Sequence, residues 1–205
     1  MLKNRSVTMY LIAKRALDIL LSLLALMVLS PVLLAVAAIV KATSRGPVIF
    51  RQERIGRDRS VFTIYKFRTM LVSAPRMMPT HQFSDANAYL TPVGGFLRNS
   101  SLDELPQLLN ILKGEMSVVG PRPALPNQLD LLDERDKYGA NALRPGLSGW
   151  AQINGRDEIP IPRKAAYDGE YVRRMSFLFD VRCVLGTLMG HANPDQARAR
   201  GGKNA

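Results

Sequence analysis

The chain has 205 residues, 47% of them hydrophobic, with 28 Lys and Arg against 17 Asp and Glu. That length allows one medium domain with an appendage, and a lone cysteine, Cys183, excludes an intrachain disulfide; with only His81 and His191 beside it, the chain has no His/Cys metal cluster. Of the formal net charge of +11, the first 70 residues carry +9 (12 basic against 3 acidic), a bias that suits an anionic partner such as nucleic acid, a phosphate-bearing substrate or acidic lipid headgroups.

Residues 19–40, ILLSLLALMVLSPVLLAVAAIV, contain no charge. As a helix they would extend about 33 Å, close to the hydrocarbon thickness of a bilayer. A signal peptide ordinarily has a shorter apolar core and a small-residue cleavage site, and a buried core helix ordinarily keeps a polar face. Ser30-Pro31 divides the segment. Proline removes a backbone donor, so a kink is expected there, with Ser30 able to satisfy a freed backbone group. Lys14 and Arg15 precede the segment, while Lys41, Arg45, Arg51 and Arg54 follow it. The positive-inside tendency draws both flanks to the cytoplasm. Two arrangements remain at this level: a broken helix entering and leaving by one face, and a kinked single span.

Beyond this, residues 46–70 predict basic strands, with Val48-Ile49-Phe50 short and apolar, a turn at Ile55-Gly56-Arg57-Asp58, and alternation through 61–67. Residues 71–92, with Pro75, Pro79 and Pro92, predict an irregular connection. Leu105, Leu108, Leu109 and Leu112 follow helical spacing up to a stop at Gly114. A short strand is expected over 116–119, a helix over 126–140, a tight turn at Pro145-Gly146 and helix over 164–189. Apolar Phe177, Leu178, Phe179 and Leu185 beside Arg173, Arg174 and Arg182 suit either a cover for the domain or a membrane surface.

Four stretches can carry chemistry. In Arg98-Asn99-Ser100-Ser101-Leu102-Asp103-Glu104-Leu105-Pro106-Gln107, Ser101 and Glu104 have the spacing of a capping box, and Asp103 suits the positive end of a helix dipole. Equally, two adjacent carboxylates at a helix start near a phosphate offer one to attack phosphorus or bind a divalent metal and one for acid–base work or positioning. Gly120-Pro121-Arg122-Pro123 is either a rigid turn or a diphosphate clamp, since two prolines aim a guanidinium whose fork matches phosphate oxygens. In YKFRTM at 65–70, Lys66 and Arg68 share one strand face, either as ordinary polar positions or to neutralise phosphate. RPGLSGWAQINGR at 144–156 places Gln152, Asn154 and Arg156 in a glycine-rich polar loop able to hold a nucleotide or sugar, with Trp150 as its anchor.

Together these stretches resemble the bacterial sugar transferase family, the monotopic polyprenyl-phosphate phosphoglycosyl transferases, in their minimal form. The resemblance runs from Lys14-Arg15-Ala16-Leu17-Asp18 through Ser30-Pro31, YKFRTM, SLDELPQLLNILKGEMSVVGPRP at 101–123 and RPGLSGWAQINGR to Asp168-Gly169-Glu170-Tyr171, Ser176 and Asp180. It implies an α+β fold in three parts: a re-entrant membrane helix kinked at Ser30-Pro31 within residues 1–45, a catalytic domain over 46–195 with interfacial helices, and a basic tail over 196–205. It further implies a catalytic pair, Asp103 as nucleophile and metal ligand with Glu104, and Mg2+ as cofactor. Substrate-binding roles are implied for Lys66, Arg68, Arg122, Gln152 and Arg156. The implied partners are a UDP-sugar donor, a polyprenyl phosphate acceptor and the lipid bilayer, with no nucleic acid. The implied location is the bacterial inner membrane, catalytic domain on the cytoplasmic face. An N-acetylated or deoxy amino sugar is the expected donor sugar. The competing reading is a non-enzymatic, membrane-anchored basic protein that binds nucleic acid or acidic lipid; it explains charge and anchor but not the rigid settings of Asp103, Glu104 and Arg122.

Overall fold

A computed structural model describes residues 5–75, 87–155 and 159–189. Its first element, helix α1 (Arg5–Thr43), takes in the whole uncharged segment and runs through Pro31 without a break in helical assignment. Pro31 cannot donate to the carbonyl of Met27, and Ser30 Oγ donates to that carbonyl instead, at 2.8 Å. Most large side chains along this segment are bare. Met27, Val28 and Leu34 are each about two-thirds or more exposed (67%, 66% and 72%), which no core helix of a soluble domain tolerates as a contiguous surface.

A hairpin follows, as the alternation predicts. Strand β1 (Ile49–Ile55) pairs antiparallel with β2 (Val61–Phe67), Phe50 opposite Lys66, across a tight turn at Arg57–Arg59. Helix α2 (Gly94–Asn99) leads into a single 3-10 turn, Leu102–Glu104, and then α3 (Gln107–Lys113). Gly114 ends α3 with φ 86°, the left-handed conformation glycine adopts without a Cβ clash. Strand β3 (Ser117–Val119) comes next, then α4 (Leu129–Asp136).

At Pro145-Gly146 the expected tight turn is replaced by a strand. Residues Gly146–Ser148 form β4, parallel to β3, with Ser117 opposite Gly146. The reason is close approach: a Cβ on Gly146 would lie 2.1 Å from the Gly120 nitrogen, so the glycine serves backbone contact rather than a turn. Helices α5 (Trp150–Ile153), α6 (Ile161–Arg174) and α7 (Phe177–Leu188) follow. The helix expected over 164–189 is thus two, broken at Met175-Ser176, where the Ser176 hydroxyl caps α7 by accepting from the Phe179 amide. The fold is mixed helix and sheet, with two small two-stranded sheets among the described residues. The tail at 196–205 lies outside the described residues.

Helix α1 is bound to the domain at three places along its length. Near its start, Lys14 Nζ and Tyr10 OH both reach Asp180 Oδ2 (2.9 and 2.7 Å), Asp180 Oδ1 accepts from Tyr171 OH at 2.7 Å, and Asp18 accepts from the Val118 amide at 3.0 Å. Further on, Ala25 and Leu26 pack on the cluster of Phe62, Ile64, Leu108, Ile111 and Met116. Towards its end, Val36 and Val40 pack with Phe67 and Leu97. The polar positions Lys14, Asp18 and Ser22 recur every four residues and form the one buried stripe of its first half.

Candidate active site

Three elements converge on a small charged cluster. The inward face of β2, through Phe62 and Ile64, packs against α3 and carries Lys66 beyond them. Asn110, fully buried in α3, hooks the two elements together: its Oδ1 accepts from the Tyr65 amide at 3.1 Å and its Nδ2 donates to the Thr63 carbonyl at 2.7 Å. That clamp sets Lys66 beside the 3-10 turn, where Lys66 Nζ meets Glu104 Oε1 at 2.6 Å. Arg122 reaches the same Oε1 at 3.4 Å from the loop after β3. The loop is held by Arg54 donating to the Pro123 carbonyl at 3.2 Å and Ile55 to the Ala124 carbonyl at 2.9 Å. Asp103 is buried next door in the same turn.

Electrostatically the cluster is two cations around two carboxylates. Burial pulls the Lys66 ammonium below its usual range and the Arg122 charge adds to that; Glu104 and, more weakly, Asp103 oppose it. With Glu104 engaged by two cations, Asp103 is the second carboxylate of the cluster. Gln107, at the start of α3, is buried with its Nε2 donor unpartnered.

The capping-box reading of Ser101 does not hold. Ser101 sits at φ 57°, a left-handed conformation uncommon outside glycine, and its side chain makes no cap bond. Pro106 occupies the position before α3, also without a side-chain cap. The carboxylates of Asp103 and Glu104 are therefore presented on a tight turn that precedes the helix, with backbone strain of the kind found beside functional groups.

Other sequence candidates lie elsewhere. Arg68 shares a strand face with Lys66 but its guanidinium turns to the end of α1, donating to the carbonyls of Ser44 (2.9 Å) and Arg45 and to Ser44 Oγ. Gln152 braces its own loop, donating to the Leu147 carbonyl at 2.9 Å. Trp150 anchors that loop, its ring tilted against Phe179 with centroids 4.8 Å apart and its indole N–H donating to Glu170 at 2.8 Å. Arg156 lies outside the described residues. Asn110 went unsingled by the sequence reading, although one polar residue inside LLNIL was a visible signal.

Residues 9–193 match the family described as bacterial sugar transferase. The chain belongs to that family. As a member it is a phosphoglycosyl transferase, and it is 39% identical over 191 residues to the exopolysaccharide production protein ExoY of Sinorhizobium fredii, covering 86% of this chain and 84% of that one. It is 43% identical over 182 residues to the UDP-glucose:undecaprenyl-phosphate glucose-1-phosphate transferase of Escherichia coli, covering 85% of this chain but 39% of the relative. The UDP-N-acetylgalactosamine-undecaprenyl-phosphate N-acetylgalactosaminephosphotransferase of Aeromonas hydrophila is 37% identical over 185 residues, with 87% and 43% covered. This transferase therefore spans most of one relative and about two-fifths of the others (39% and 43%).

Proposed function

We propose that this transferase moves a sugar 1-phosphate from a UDP-sugar to polyprenyl phosphate through a phosphosugar carried on Asp103. The observation that supports this most directly is the setting of Asp103: a buried carboxylate on a strained turn, next to Glu104, which Lys66 and Arg122 both engage. Lys66 and Arg122 offset the charge of the incoming diphosphate, and Glu104 holds both cations in place before it arrives. An Asp103 oxygen attacks the phosphorus nearest the sugar. The bond to the bridging oxygen breaks, UMP leaves with the electron pair, and an acyl phosphate remains. A polyprenyl phosphate oxygen then attacks the same phosphorus, giving polyprenyl-diphosphate-sugar and restoring the carboxylate.

Mg2+ suits this donor set. Among the described residues no three His, Cys, Asp or Glu side chains converge, and Mg2+ is ordinarily held by one or two carboxylates together with substrate phosphates. Asp103 would be its protein ligand, and the ion would supply further neutralisation of diphosphate charge. For the donor, relatives named for glucose stand beside one named for N-acetylgalactosamine. UDP-glucose therefore joins the expected amino sugars as the first donors to compare.

The contacts of α1 favour a re-entrant arrangement on the cytoplasmic face of the inner membrane. Lys14 and Val40 both touch the domain and lie 26 residues apart, about 39 Å of straight helix. That exceeds a hydrocarbon core of about 30 Å, so a domain on one side of the membrane cannot hold both ends of a spanning helix. Leu178, Val181, Leu185 and Leu188, exposed at helical spacing on α7, offer a second apolar face to the same surface. The reaction is tested by UMP release from UDP-glucose, UDP-N-acetylgalactosamine and UDP-N-acetylglucosamine, with and without undecaprenyl phosphate. Release from none of them overturns the proposal.

A further inference from the structure

We propose that a cleft at the far end of α3 from Asp103 is a phosphate-binding subsite, filled by the headgroup phosphate of an anionic membrane lipid. The cleft is a shallow one of about 30 Å³, open to solvent on one side, and is lined by Lys14, Arg15, Asp18, Ser117, Arg144 and Tyr171 among others. It is separate from the catalytic cluster. Asp103 and Glu104 precede the first residue of α3, whereas Arg15 and Arg144 bind the carbonyls at its end, so the length of α3, about 10 Å, lies between them.

The polar groups of the cleft are not all used by the protein. Lys14 is engaged by Asp180 at 2.9 Å. Arg15 spends both amino groups on the carbonyls of Ile111 (2.6 Å) and Leu112 (2.9 Å). Arg144 spends only its Nε, on the Gly114 carbonyl at 2.8 Å, and among the described residues its two terminal amino groups have no partner. Ser117 is 3% exposed and its hydroxyl has none either. The carbonyls that give a helix end its negative character are already covered by these arginines, so they do not repel an anion. Burial pulls the Arg144 guanidinium below its usual range, and the positive charges of Arg57 and Arg15 add to that, opposed by Asp18. A buried hydroxyl without a partner is uncommon, and among the described residues Ser117 supplies one; the half-buried Arg144, which lines the same cleft, presents a fork that matches the oxygens of a phosphate.

The lipid as source of that phosphate rests on the membrane placement proposed above. The cleft is built on residues 11–18 of α1, immediately before the uncharged segment, and that placement puts it at headgroup level. Free phosphate shares the chemistry, so the test has two arms. In the first, the full chain in nanodiscs of mixed phosphatidylglycerol and phosphatidylcholine is released into the gas phase and retained lipids are weighed. In the second, the detergent-solubilised full chain is titrated with inorganic phosphate at constant ionic strength, followed by thermal unfolding.

Wild-type protein should retain phosphatidylglycerol. Arg144→Gln should retain it about tenfold less and Ser117→Ala about threefold less, the scale of one charge-assisted and one neutral hydrogen bond. Arg144→Gln also disturbs the bond to Gly114, whereas Ser117→Ala removes no bond within the protein, so the second variant carries the test if the first unfolds. If inorganic phosphate raises the unfolding midpoint through Arg144 and Ser117 while lipid retention ignores both, the subsite stands for a soluble phosphate and the lipid assignment is overturned. If neither variant changes either measurement, the subsite itself is overturned. Cysteine labelling of the helix flanks, described below, reports on the membrane placement independently.

Discussion

Lys66 and Glu104 are 38 residues apart in the chain and 2.6 Å apart in the fold, on the oxygen that Arg122 also approaches. That shared carboxylate oxygen pairs with two cations and aims them in a largely buried place. Under the proposed mechanism this gives Glu104 the task of orienting Lys66 and Arg122, distinct from the attack by Asp103.

The Lys66 ammonium lies below its ordinary range because burial outweighs Glu104 and Asp103. Activity that depends on this charge should fall on an alkaline limb below the usual lysine range. In Glu104→Gln the main opposing charge is gone, so the limb should move to lower pH when each protein is scaled to its own maximum. The linkage sign follows: between the depressed folded value and the unfolded value of 10.5, the unfolded chain holds a proton the folded chain has released, so stability from this group rises with pH in that window. A rate profile of Glu104→Gln superimposable on wild type would separate Lys66 from the phosphate.

Asp103→Asn preserves shape on the turn and should change stability by less than about 1 kcal/mol, since an isosteric amide fills the same buried place. Turnover should nearly vanish, because an amide is a poor nucleophile. Wild-type protein given donor without acceptor should release UMP up to about one equivalent per site. Intact mass should then show a hydroxylamine-labile phosphosugar on the peptide holding Asp103. UMP that appears only with polyprenyl phosphate, and no trapped adduct, would favour direct transfer.

Arg122 and Arg68 should respond in opposite ways. Arg122→Lys keeps charge but loses the fork, so activity should drop about tenfold or more with the unfolding midpoint unchanged. Arg68→Ala strands the Ser44 and Arg45 carbonyls at the end of α1 and should cost about 2 kcal/mol of stability, read by denaturant titration. If Arg68→Ala folds like wild type and is selectively inactive, Arg68 rejoins the phosphate-binding group.

Topology is tested by Ser6→Cys and Ser60→Cys, exposed positions on either side of the uncharged segment. Cys183 is buried and its thiol is pushed up to about 12, so it should stay silent in the same experiment. An impermeant reagent should label neither site in intact cells and both in inverted membranes. Labelling of Ser6→Cys alone in intact cells would establish a spanning helix.

Much of the candidate site was legible in the chain because it rests on local chemistry. Adjacent carboxylates at 103–104, a proline-fixed Arg122 and a basic strand ending at Lys66 are visible without coordinates, as are the uncharged segment and its Ser-Pro step. Partner choice was not legible. Lys66 and Arg68 share one strand face and one charge, yet Lys66 goes to Glu104 and Arg68 to the carbonyls that end α1. Periodicity gives a face, but not what packs against it. For the same reason Pro145-Gly146 reads as a turn: only contact with Gly120 makes it a strand. Local sequence thus determined which groups exist and which segment is long and apolar enough to cross a membrane, since those follow from side-chain chemistry, whereas the break expected at Pro31 is not seen in α1. Tertiary structure alone decided which charges meet, because Asn110, Asp180 and Asp18 join segments 45 to 170 residues apart, and such pairings depend on the packing of whole elements against one another.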